Sequence, residues 1–219
     1  MLFISPPFGN YINLPYTIPI RGSFTLNPRP GKWKQIFKTL RFSFKYNGWI
    51  NKIGLRNPGI DYALQKYKND IISIAILENK EIDVFLEKIP NDTDLEINIS
   101  CPNTDHDLVS QNIHKFLNQE RNWCIIKLSP LTKIEQIDNF YTDGFRQFHC
   151  SNTMPTKQLN TKYQGGLSGP YLIPYTMRLS KKIKEKYPDT IVISGGGVTN
   201  IDTYNIYKET SDHVSVSSI

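Results

Sequence analysis

One stretch of this chain gathers groups that can do chemistry: Glu96-Ile97-Asn98-Ile99-Ser100-Cys101-Pro102-Asn103. Leu95 to Ile99 has the apolar, β-branched character of a buried strand. The strand then delivers an amide, a hydroxyl, a thiol and a second amide, and Pro102 ends the ladder by removing a backbone donor. Buried amides need partners, so this is a poor way to finish a core. It is a suitable way to build a site for a small polar ring faced by a thiol, and a thiol is readily tuned to act as a general base. Lys127 interrupts the run Ile125-Ile126-Lys127-Leu128 and must face a site or a counter-charge. Asn98 and Asn103, within that stretch, offer amides that can pair with ring carbonyls and N–H groups. Gly165, Gly166, Ser168 and Gly169 lead into a long helical stretch, and Gly195, Gly196 and Gly197 follow a strand. Such turns let backbone N–H groups approach a phosphate, and Ser217 and Ser218 stand where they could complete the cradle. His149 adjoins Cys150 without any acyl-transfer motif and reads as a buried or capped histidine.

These residues need a scaffold. From about residue 70 the chain alternates strand-like runs with helix-like ones. The strands are Ile71–Leu77, Leu95–Ser100, Cys124–Ser129, Phe145–Ser151, Thr190–Ser194 and His213–Ser218. The helices are Glu78–Lys88, Leu108–Asn118, Lys133–Phe140, Tyr171–Tyr187 and Ile201–Glu209. In the long helix Leu172, Tyr175, Leu179, Ile183 and Tyr187 recur at helical spacing. Two earlier strands, Leu2–Ser5 and Thr17–Phe24, bring the total to the count of a closed (β/α)8 TIM barrel, an α/β fold. An open doubly wound sheet is the alternative. It is weakened because the strands end in polar or Gly-rich residues, as a barrel's catalytic face requires. A single domain over 1–219 is expected. Its first helix is replaced by the loop Pro6 to Tyr16 and its eighth helix is absent, while Arg29 to Lys45 forms an excursion at the rim.

The 219 residues can bury one good core. The net charge of +6 comes from scattered lysines and arginines, with concentrations at Arg29 to Lys45 and Lys181 to Lys186. It suits anionic ligands and gives no specific sign of nucleic acid. Cys101, Cys124 and Cys150 lack metal-type spacing, and an odd count without a signal sequence points to reduced thiols in a cytoplasmic setting. No apolar run approaches the roughly 18 residues that span a bilayer.

Taken in order, seven motifs resemble the dihydroorotate dehydrogenase family. They are "GSFTLNPRPG" (Gly22–Gly31), "GWINKIGLRNPG" (Gly48–Gly59), "NISCPNT" (Asn98–Thr104), "IIKLSP" (Ile125–Pro130), "CSNT" (Cys150–Thr153), "GGLSG" (Gly165–Gly169) and "SGGGV" (Ser194–Val198). The resemblance implies an FMN-dependent oxidation of (S)-dihydroorotate to orotate in pyrimidine (UMP) biosynthesis. Cys101 would take a proton from C5 while C6 gives hydride to flavin N5, and Lys127 would lie near flavin N1 and O2. It implies substrate contacts from Asn51, Gly54, Leu55, Asn98, Asn103, Asn152 and Thr153. Cofactor contacts would come from Ser23, Asn98, Lys127, Ser151, Gly166, Ser168, Gly169, Gly195, Gly196, Gly197, Ser217 and Ser218. The thiol base is similar to the soluble class; the expected partners are the small-molecule substrate, a homodimer mate or an electron-transfer protein, with neither nucleic acid nor membrane. Two departures stand out: Arg21-Gly22-Ser23 replaces a usual strand-two lysine, and the segment after Cys101 is short. A reductase of another dihydropyrimidine or dihydrouridine, or a non-catalytic flavin-binding relative, are the alternatives.

Overall fold

The computed structural model describes residues 1–99 and 112–217. Eight parallel strands close into a barrel. In chain order they are β1 (Leu2–Ile4), β2 (Thr17–Phe24), β5 (Ile71–Ile74), β6 (Leu95–Asn98), β7 (Cys124–Leu128), β8 (Gln147–Cys150), β11 (Ile191–Gly195) and β12 (His213–Val216). β1 pairs with both β2 and β12, and that seam closes the ring. Parallel strands need crossovers, and α2 (Ile60–Lys66), α3 (Glu81–Lys88), α4 (Ile134–Thr142), α5 (Ile173–Lys186) and α6 (Ile201–Lys208) supply them. The β1–β2 connection carries only a 3-10 turn, Phe8–Asn10, as the loop-rich sequence predicts. The expected helix Leu108–Asn118 lies partly outside the described residues; its described part is a 3-10 turn, Ile113–Phe116. Outside the β1–β12 seam, Leu2, Val216, Val198, Ile201 and Tyr204 line an open groove.

Side-chain alternation sorts the barrel strands into two faces. Ile72, Ile74, Leu95, Ile97, Ile126, Leu128, Phe148 and Val192 face the helices and form the main core. Phe3, Ile20, Ile71, Ile125 and Ile193 face inward and plug the lower barrel. Trp123 and His213 close the bottom against the Phe3 ring. Above the plug the interior turns polar: Ser5, Ser73, Glu96, Lys127, His149 and Ser215 are all buried.

Segments leaving the tops of β2 and β8 build a second sheet. It has the order β3 (Arg41–Ser43), β4 (Gly48–Asn51), β10 (Gly166–Ser168), β9 (Met154–Pro155). Ile50, Met154, Leu167 and Leu172 form the small core beneath it. α1 (Lys32–Thr39) borders this sheet, so the stretch Arg29 to Lys45 is indeed an excursion at the rim.

Candidate active site

Strand ends place the polar residues. The register sets Ser73 opposite Glu96, Asn98 opposite Lys127, and Lys127 opposite His149. Neighbouring strands thus point these side chains into one volume.

Glu96 is the hub. Its Oε1 accepts from Lys127 Nζ at 3.1 Å and from Ser73 Oγ at 2.7 Å. Its Oε2 lies 2.5 Å from His149 Nδ1. Burial would push this carboxyl up, but the Lys127 and His149 charges and the His149 and Ser73 hydrogen bonds outweigh it and hold it at about 2. Burial pushes the His149 imidazole below its ordinary range; Glu96 pulls the other way, and Lys127 adds to the depression. A buried carboxylate with three partners is satisfied rather than stranded. Glu96 is the counter-charge that the lone Lys127 required. Sequence alone did not single it out, because a charged residue between Leu95 and Ile97 names no partner until β6 lies between β5 and β7, with β8 one strand further on.

The amides join this hub from above. Ser73 Oγ lies 2.9 Å from Ser23 Oγ, Asn98 Nδ2 donates to Ser23 Oγ at 3.0 Å, and Asn152 Nδ2 donates to Asn98 Oδ1 at 3.1 Å. Asn152 is itself fixed by its backbone N–H to Leu128 O at 2.8 Å. Its side-chain Oδ1 accepts from Thr153 N. So Ser23, Asn98, Lys127, Asn152 and Thr153, expected from sequence, do come together. Ser151 pairs with Thr176 at 2.7 Å, and Thr176 reaches Gly195 O at 3.3 Å.

Asn51 stands in the upper sheet rather than on a barrel strand, opposite Gly166. A Cβ on Gly166 would lie 2.1 Å from Thr153 Oγ1, and one on Gly165 would lie 2.0 Å from Asn51 O. These close approaches seat the sheet on the end of β8. Gly54 and Leu55 follow β4 with positive φ of 72° and 54°. Asn57 anchors that loop, donating to Leu55 O and accepting from Gly59 N and Thr25 N. Cys101, Asn103 and Ser218 lie outside the described residues.

The two glycine-rich turns meet. Gly197 has φ +77°, and a Cβ there would lie 2.6 Å from Pro170 Cα and 2.8 Å from Gly169 O. Tyr207 on α6, fully buried, donates to Gly196 O at 2.7 Å and pins the turn from behind. Ser168 follows Gly166 and Leu167 into this junction. The surface at the end of β11 is therefore bare backbone, a shape that suits a phosphate. Ser217 donates to Pro6 O at 2.5 Å, so its proton is committed to the β1–β2 loop.

Arg21 does not stand in for the strand-two lysine. It faces the helix layer, paired with Asp70 at 2.7 Å, donating to Gly9 O and Asn13 Oδ1, and lying over the Tyr67 ring. Cys124 and Cys150 are buried; burial pushes Cys124 up to about 12 and Cys150 up as well. Among the described residues no cluster has the make-up of a metal site, and no helix is long and apolar enough to cross a membrane.

Comparison with known proteins agrees with this geometry. The family model described as dihydroorotate dehydrogenase matches residues 10–205. The chain is 29% identical over 204 residues to "Dihydroorotate dehydrogenase B (NAD(+)), catalytic subunit" of Petrotoga mobilis, covering 80% of this chain and 66% of that one. The protein of the same name from Staphylococcus carnosus is 28% identical over 213 residues, covering 83% and 67%. The chain thus spans about two thirds of the length of these relatives. A crystal structure of DHODH in complex with ferulenol from Eimeria tenella superposes with a TM-score of 0.70 at 16% identity, covering 98% of this chain and 75% of that one, which bears on the fold. A family match that spans both glycine turns and every barrel strand from β2 to β11 leaves one assignment: this chain belongs to the dihydroorotate dehydrogenase family.

Proposed function

We propose that this protein oxidises (S)-dihydroorotate to orotate with FMN as hydride acceptor. The observation that carries the reading is the joined set Asn152–Asn98–Ser23 held directly above the Lys127–Glu96 pair at the C-terminal end of the barrel. FMN fits the residues present: the turns at Gly169 and Gly197 pack backbone against backbone with no room for a Cβ between them, and glycine-rich backbone of this kind suits a phosphate. When bound, FMN supplies the two-electron acceptor for the substrate's C6 hydride.

The chain's own residues do the rest. Asn98 and Asn152, each fixed by neighbours, present amide edges that orient a pyrimidine ring. Asn51, Asn103 and Thr153 extend that set in this reading, with the Gly54–Leu55 loop beside it. Lys127 pairs with Glu96 at 3.1 Å below the ring volume, where its ammonium would face the charge that FMN gains with the hydride. Gly166, Ser168, Gly169, Gly195 to Gly197 and Ser151 face the cofactor, with Ser217 and Ser218 at the edge of the phosphate cradle. Cys101 takes the C5 proton.

The deciding experiment is the absorption spectrum of the purified protein, before and after anaerobic dihydroorotate. Flavin bands that bleach on addition are expected. A protein that is colourless and fails to bind added FMN overturns the reading. Cys101→Ala should keep orotate affinity and lose fast bleaching; bleaching at the parental rate would remove Cys101 from the chemistry.

A further inference from the structure

The polar interior continues past the groups that this function uses. Ser23, half-buried at the site end, has its Oγ 2.9 Å from Ser73 Oγ. Ser73 donates to Glu96 Oε1 at 2.7 Å, and Glu96 Oε2 lies 2.5 Å from His149 Nδ1. Every link is a hydroxyl, a carboxylate or an imidazole, groups that accept a proton and release one. The two serine hydroxyls can each serve as donor to the other. Glu96 is fully buried and His149 nearly so, and the apolar plug lies beneath them. The chain therefore opens only toward the site.

We propose that Ser23 and Ser73 form a proton wire whose end, the Glu96–His149 pair, stores one proton for the reaction. The proposal rests on the flavin reading above. Oxidation of the substrate breaks two C–H bonds and makes one C=C bond; a hydride goes to the flavin and a proton goes to the base. Bound FMN would gain one negative charge with the hydride, and Lys127, the residue that would face it, has its own charge already offset by Glu96. One proton drawn from solvent at the mouth of the site enters at Ser23, passes to Ser73 and on to Glu96 Oε1, and each hydroxyl is restored behind it. Before reduction the Glu96 carboxylate is ionised and burial disfavours charge on the His149 imidazole, so the pair has room for one proton; the added negative charge favours its uptake, and the barrel interior keeps the same total charge. Reoxidation of the flavin sends the proton back along the same path.

The surroundings of the pair support a store rather than a leak. Among the described residues the ionisable group beside it is Lys127 from β7. β5 contributes the Ser73 hydroxyl, and inward-facing Ile193 comes from β11. Ser5 and Ser215, from β1 and β12, bond each other at 2.5 Å. His149 reaches the Ser73 and Ser23 hydroxyls through Glu96, and so acts through it. Two such coupled groups titrate as a unit.

The test is an equilibrium redox titration of the FMN-loaded protein at several pH values, with imidazole 15N and carboxyl 13C spectra of oxidised and chemically reduced samples. With one proton per two electrons the reduction equilibrium shifts tenfold per pH unit, about 30 mV. With the store loaded as well, the parent should shift a hundredfold per pH unit, and His149→Leu should fall back to tenfold. The spectra of the pair should report one added proton on reduction. Ser73→Ala cuts the path but keeps the pair: it should retain the hundredfold dependence and slow proton uptake, read with an indicator dye, at least tenfold. If His149→Leu fails to fold, the Ser73→Ala kinetics and the spectra decide. A tenfold dependence in the parent, or unchanged spectra on reduction, overturns the wire while leaving the function standing. Failure to bind FMN overturns both.

Discussion

Glu96 shows how much one side chain can hold in place. It keeps its charge inside the barrel because Lys127, His149 and Ser73 together outweigh desolvation. Its folded-state value of about 2 lies below the ordinary 4.5, so it contributes stability that is fully present above about pH 4.5. That contribution, roughly 3 kcal/mol, is lost as the pH falls toward 2. Removing one member of a buried pair strands the other, at a cost of about 3–5 kcal/mol. Glu96→Gln and Lys127→Met should each lower the unfolding free energy at pH 7 by that order, and the double variant by clearly less than the sum. Urea unfolding at pH 7 and pH 3.5 checks both points; additive losses, or a parent no more acid-sensitive than Glu96→Gln, would refute the hub. At this scale the sequence spoke clearly for Asn98 and Lys127, whose residue types clash with an apolar strand, while Asn152, just past β8, stood out only through the motif "CSNT". It was silent on Glu96 and Ser73, whose meaning depends on the strand alongside. His149 was visible, but only as a buried histidine.

The elements divide in the same way. Alternating apolar runs made the barrel legible, since parallel strands and their helices must recur at that period. α2 and the four-stranded upper sheet were not. Their strands have two to four residues, too short for alternation to show, and β4 and β10 pair across more than a hundred positions of sequence. What fixes that sheet is backbone contact at glycines. Gly197 and Gly31 both have positive φ, yet only Gly197 has backbone atoms within 3 Å of a built Cβ. Gly31→Ala should cost about 1 kcal/mol of stability and leave FMN affinity unchanged. Gly197→Ala should part the two turns and weaken FMN at least tenfold, as read by flavin fluorescence titration. Equal effects of the two substitutions on FMN would show that the turns are not the cradle.

Across the whole molecule the barrel is a graded vessel: aromatic at the bottom, aliphatic in the middle, ionic above, amide-lined at the mouth. The gradient follows from strand alternation read at successive heights, and it puts polar groups where partners from other strands can reach them. The chain contains three cysteines. Two of them, Cys124 and Cys150, are buried with their thiols held protonated. A thiolate is the reactive form, so mild alkylating reagents should find these two silent in the folded state. Labelling of the native protein should leave Cys124 and Cys150 unmodified and reach three equivalents in denaturant; modification of either under native conditions would mean that the barrel wall opens. Burial thereby takes two of the three thiols out of reach of a spectroscopic tag or a covalent ligand, so either can be used to report an opening of the wall.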